Sequence, residues 1–112
     1  MDVTIPASKI QSWDDFHDAF SEAFGFPGFY GRNMNAWIDC MSCVDDPSQG
    51  MTTIKPPKRG VIWIKFDEPD STFRERCPEI YEAFTECLSF VNRRSEEAGL
   101  PPALGFKHWA NR

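Results

Sequence analysis

Two cysteines, Cys40 and Cys43, have the Cys-x-x-Cys spacing used by thiol redox enzymes. In such enzymes the pair opens a helix directly after a strand, where the helix N-terminus lowers the thiol pKa. Here the surrounding pattern puts the pair toward the C-terminal end of a helix. The backbone field there opposes a thiolate, which favours a buried, small, apolar Cys40 and an incidental Cys43. Cys77 and Cys87 fall within one helix, and His17 and His108 form no ligand pair, so neither a metal nor a cofactor is expected. Gly25, Gly28 and Gly31 are evenly spaced, but a phosphate cradle must follow a strand and open a helix, whereas this loop follows a helix. His17 has no Cys or Ser neighbour to activate and reads as a structural helix residue. The paired acids Asp14-Asp15 and Asp45-Asp46 read as solvated helix ends or turns, and no enzyme chemistry emerges.

A different combination stands out. Phe26, Phe29 and Tyr30 sit on a glycine-rich loop that runs into a helix carrying Asn35 and Asp39 on one side. Rigid rings beside a carboxylate supply contact area and a directional acceptor for Arg or Lys, the makings of an interface hot spot. The same rings can instead form a satellite core, with Phe29 and Tyr30 turned inward, because aromatic residues are more often buried than exposed. Composition leaves both arrangements open.

These residues need elements to hold them. Asp2 to Pro6 suits a first strand. Ser12 followed by Asp15 makes a capping-box-like start, and Trp13, Phe16, Phe20, Ala23 and Phe24 recur at helical spacing up to Gly25, with Pro27 blocking continuation. Asn33 can cap a second helix in which Met34, Trp37, Met41 and Val44 form one buried stripe. Asn35 and Asp39, four residues apart, then share another face, with Ile38 beside them and Cys43 one turn on. Residues 45–60 are rich in Pro, Gly, Ser and Thr and read as a connection. Val61 to Phe66 is almost continuously apolar, as expected of a strand covered on both faces. A helix starting at Asp70 or Ser71 carries the stripe Phe73, Cys77, Ile80, Tyr81, Phe84, Cys87, Leu88 and Val91, with a kink or a new start at Pro78. Gly99 ends it, and Ala103 to Lys107 supplies a last strand. Helices separate successive strands, so parallel pairing is favoured: an α/β fold, one small domain over residues 1–112, with a three-stranded parallel sheet packed by helices.

At 112 residues, with 41 % apolar and 14 % aromatic residues, the chain can build one core without disulfides. Its start lacks the basic and apolar runs of a leader and no stretch is long enough to span a bilayer, so a cytoplasmic protein with reduced thiols is expected. The net charge of −5 is uneven: residues 1–50 carry eight acids against Lys9 and Arg32, and residues 51–112 carry nine acids against ten bases. The acidic half would repel nucleic acid and membrane surfaces and attract a basic protein. Ordinary solubility is the alternative meaning of that charge.

Ile10 to His17 resembles the start of the first helix in the barstar family. Pro27-Gly28-Phe29-Tyr30-Gly31-Arg32-Asn33-Met34-Asn35-Ala36-Trp37-Ile38-Asp39-Cys40 is similar, without a gap, to that family's aromatic-Tyr-Gly-x-Asn-x-Asp-Ala-Leu-Trp-Asp-Cys segment. The specific likeness spans about residues 10 to 43, and the order of elements extends it loosely to the end. It implies a non-enzymatic inhibitor, an immunity protein or antitoxin, that occludes the active site of a basic ribonuclease toxin with residues about 26–46 and is monomeric when free. Phe29 would take the aromatic position, Asp39 that of the acid entering where RNA phosphate sits, and Gly31 and Asn33 those of the residues leading into the helix. Tyr30, Asn35, Ile38, Cys43 and Asp46 complete the expected partner-binding set. Asn35 stands where the family has an interface Asp, and Ile38 where it has an interface Trp, with Trp37 one residue earlier. The family's late-helix acid has no secure counterpart: Arg93 and Arg94 fall near that place and Glu96 and Glu97 lie beyond it. An adaptor using the same surface on a non-nuclease partner is the alternative, and a small thiol redox protein a third reading.

Overall fold

The computed structural model describes residues 1–44, 50–53 and 61–107. Strand β1 (Asp2–Ile5) is followed by a 3-10 turn (Ala7–Lys9) and helices α1 (Trp13–Phe24) and α2 (Met34–Ser42). Strand β2 (Ile62–Phe66), helices α3 (Asp70–Arg76) and α4 (Pro78–Glu97), and strand β3 (Leu104–Lys107) complete the order. The sheet order is β1-β2-β3, and both pairings are parallel. The register sets Val3 and Ile5 opposite Ile64 and Phe66, and Ile62 opposite Leu104, so these side chains form one buried face.

Against that face pack Phe16, Phe20 and Phe24 of α1, Trp37 and Met41 of α2, Phe73 of α3, and Ile80, Phe84 and Val91 of α4. Phe84 is at the centre of the aromatic contacts, with ring centroids 5.3 Å from Phe66, 5.8 Å from Phe20 and 6.0 Å from Trp37. Of the expected stripe on α3 and α4, Tyr81, Cys87 and Leu88 are partly buried at its margin.

Local signals act as their chemistry dictates. The Ser12 side chain accepts a hydrogen bond from the Asp15 amide and starts α1, and Gly25, at φ 67°, ends it in the left-handed region. A Cβ at Gly25 would collide with the Thr53 side chain, while the Thr53 amide donates to the Phe24 carbonyl at 3.0 Å. Pro78 opens α4 at its first turn, where no intrahelical donor is needed, so the chain breaks into two helices there. The Asn92 side chain bonds both the amide and the carbonyl of Leu104, at 3.0 and 2.8 Å, and docks β3 against α4.

The expectation for β2 is corrected in one respect. It is covered on one face only: Ile62, Ile64 and Phe66 are buried, while Trp63 and Lys65 are exposed. Trp63 interrupts the alternation because its ring lies over Gly105, where a Cβ would strike it, and beneath the Lys107 ammonium, 5.8 Å from a ring centroid. A neighbouring strand thus partly covers an indole that helices do not.

Candidate functional site

The loop between α1 and α2 begins at Gly25. Phe26 is half-buried and continues the ring contacts of the core, 6.1 Å from Phe24 and 4.7 Å from Tyr30. The Tyr30 amide donates to the Pro27 carbonyl at 3.0 Å, closing a turn with Phe29 at its tip. Phe29 is 75 % exposed, the most exposed large apolar side chain among the described residues. Tyr30 is not: its hydroxyl and His17 Nδ1 share a hydrogen bond of 2.6 Å, and burial raises the phenol pKa, assisted by Cys40 and opposed by Arg32. The two loop rings therefore take different fates, one presented and one anchored.

His17 is 3 % exposed and packs beside Trp13 and Phe16. Burial, aided by the Arg32 cation, pushes its pKa below the ordinary 6.5, against the pull of Asp14 and Asp18. Arg32 fixes the other end of the loop. It stands at φ 54°, unusual for a residue with a Cβ, and donates to the Asp14 carbonyl at 3.0 Å and to Asp18 at 2.9 Å.

Gly31 is exposed, and a Cβ there would come within 3.3 Å of the Asn33 side-chain nitrogen. Both ends of the Asn33 amide are engaged in starting α2: Oδ1 accepts from the Ala36 amide at 2.8 Å and Nδ2 donates to the Gly31 carbonyl at 3.2 Å. Beyond this cap α2 buries Trp37, Cys40 and Met41 and leaves Asn35 and Asp39 exposed. Ile38 is half-buried against the core, and Cys43 is the half-buried C-cap. Asp46 lies outside the described residues, as does His108.

The Asp39 carboxylate is 66 % exposed, and α4 supplies its neighbour: Arg94 Nη1 is 3.7 Å from Asp39 Oδ1. The same Nη1 is 3.5 Å from Ser42 Oγ, whose own proton is donated to the Ile38 carbonyl at 2.6 Å. The Arg94 guanidinium also lies 5.0 Å from the centroid of the exposed Phe90 ring. Local spacing could not disclose this cation beside the acid, because the pair depends on how α4 packs across α2. The His17–Tyr30 bond was hidden for the same reason, although an apolar helix face carrying a lone His is a hint that some partner must satisfy it.

Cys40 is 1 % exposed, and its thiol pKa is pushed up to about 11, by burial first and then by Asp39 and Cys43. That is opposite to the poise of a reactive redox cysteine. Among the described residues no group of three His, Cys, Asp or Glu side chains could hold a metal ion. A cleft of about 240 Å³ beside the loop is lined by Trp13, His17, Arg32, Asn33 and Met34, smaller than most ligand sites and with its cation already paired. The geometry sets an exposed ring and an outward carboxylate beside a loop whose Tyr30 and Arg32 are both bonded to α1.

The family described as "Barstar (barnase inhibitor)" matches residues 1–107. The chain belongs to the barstar family. Its parallel sheet and helices are the barstar-like α/β fold, and the family is one of inhibitor domains rather than enzymes. Among curated proteins none matches the chain. Within the barstar framework the loop and α2 are the segment in which resemblance and exposure coincide. No helix among the described residues is long and apolar enough to cross a membrane.

Proposed function

We propose that this barstar-family chain inhibits a basic ribonuclease by laying the loop and α2, residues about 26–46, over the nuclease active site. The observation that carries the proposal is the outward Asp39 carboxylate on the helix that follows the exposed Phe29. Asp39 accepts hydrogen bonds from Arg, Lys or His groups that would otherwise bind RNA phosphate, so inhibition is occlusion and phosphate mimicry without catalysis. Phe29 supplies ring contact, Asn35 and Ile38 flank the acid, Cys43 follows one turn on, and Asp46, outside the described residues, is assigned to the same contact from the sequence alone. Tyr30, Gly31 and Asn33 set the shape of the loop and the angle at which α2 leaves it. The excess of acids in residues 1–50 speeds encounter with a basic partner. In this role the chain is a cytoplasmic immunity protein or antitoxin, one domain, monomeric until it meets a ribonuclease toxin.

Barnase and barnase-type ribonucleases are the test. The chain slows their hydrolysis of RNA, and Asp39→Ala weakens inhibition by at least ~2 kcal/mol, the low end for truncating one partner of a buried charge pair, barstar complexes among them. Equal inhibition by the variant would move the contact surface elsewhere on the molecule. Binding that leaves RNA hydrolysis unaffected would favour the adaptor reading instead.

A further inference from the structure

The surface around Asp39 is not purely acidic. Arg94 reaches it from α4, and its guanidinium is loosely held: Ser42 Oγ, at 3.5 Å, is at the far limit of hydrogen bonding, and Asp39 Oδ1, at 3.7 Å, is an ion-pair contact beyond that limit. The Arg94 side chain is 49 % exposed, and its contact with the Phe90 ring, 5.0 Å from Cζ to the centroid, consumes no N–H. A guanidinium has five donors, so most of this one remains available to a visiting acceptor.

A partner cation docking on Asp39 must approach within a few ångströms of this guanidinium. Unless the partner also brings an acceptor, two like charges are forced together as water is excluded, which interfaces strongly disfavour. We propose that Asp39 and Arg94 form a two-ended contact. Asp39 takes an Arg or Lys of the partner, while Arg94, released from Asp39, forks onto a carboxylate beside that cation. The partner this chain fits is therefore a ribonuclease whose active-site rim carries a neighbouring basic–acidic pair. Arg94 is the residue that selects it, by rejecting a uniformly basic rim. This inference rests on the inhibitor reading and adds the chemistry of the target.

A library of inactivated barnase, randomised over the rim of its active site and displayed on cells, tests it. The wild-type chain, Arg94→Gln and Arg94→Glu serve as soluble baits; both substitutions are at an exposed position, and circular dichroism confirms that each bait is folded. The wild-type chain enriches rims bearing Asp or Glu beside a base by about tenfold over Arg94→Glu, with Arg94→Gln between them, the ratio expected when like charges meet in one complex and opposite charges in the other. Enrichment of the same rims by all three baits overturns the role of Arg94 while leaving the inhibitor reading intact. Failure of every bait to enrich any rim overturns the inhibitor reading and this inference with it.

Discussion

Two arginines, each in the last turn of its helix, have opposite situations in the fold. Arg76, at the end of α3, donates to the Ala7 carbonyl at 2.7 Å, to the Ile10 carbonyl at 3.2 Å and to the Glu68 carboxylate, which is 14 % exposed. It ties the turn after β1 to the junction of α3 and α4, and its donors are committed to the chain's own acceptors. Arg94 has one carboxylate at 3.7 Å and a hydroxyl at 3.5 Å, and the carboxylate is 66 % exposed. A committed guanidinium stabilises a fold; a loosely held one adds little stability and leaves charge for a partner. The contrast separates a guanidinium that serves the architecture from one that remains available at the surface.

The strongest way to break the contrast is at Arg76. Arg76→Ala should cost about 2–3 kcal/mol of stability, because Glu68 and two backbone carbonyls lose charge-assisted donors. Urea unfolding measures it, and a loss below about 0.5 kcal/mol would put Arg76 in the same class as an ordinary surface residue. A smaller effect is expected at His17, which supports the loop from beneath. Its pKa is held below 6.5 when folded, so the unfolded chain takes up the proton first. Its stabilising contribution is complete above pH 6.5 and is lost as pH falls through the folded value. His17→Gln should flatten this part of the stability profile in acid-range unfolding experiments. A wild-type profile that rises toward acid pH would contradict the burial argument. The smallest effect belongs to Arg94: Arg94→Gln should change stability by less than about 0.5 kcal/mol, and a larger loss would make its pair with Asp39 structural.

Much of the scaffold was legible because the signals that encode it are local. Ser12, Gly25, Asn33 and Pro78 each act on backbone groups within a few residues, so their types alone set where helices start and stop. The exposed face of α2 followed from the spacing of its buried stripe, which Trp37 and Met41 fill. Trp63 misled because an apolar residue type says that something covers it, not whether a helix or a neighbouring glycine strand does so. Sequence left the loop rings undecided, and the structure divides them: a hydroxyl bonded to His17 holds Tyr30 in place, and Phe29 has no such handle. The Arg94–Asp39 pair joins two helices whose relative placement the core determines, so no local pattern could announce it.

The central claim is that the loop tip and the outer face of α2 are the contact surface, with the Arg76 end serving the fold alone. Backbone amide NMR of the chain titrated with inactivated barnase or a barnase-type ribonuclease tests this most directly. The account predicts the largest perturbations at Phe29, Asn35, Asp39 and Arg94, with Ala7, Glu68 and Arg76 unmoved. Perturbations centred on Ala7, Glu68 and Arg76, with Phe29 and Asp39 silent, would contradict it.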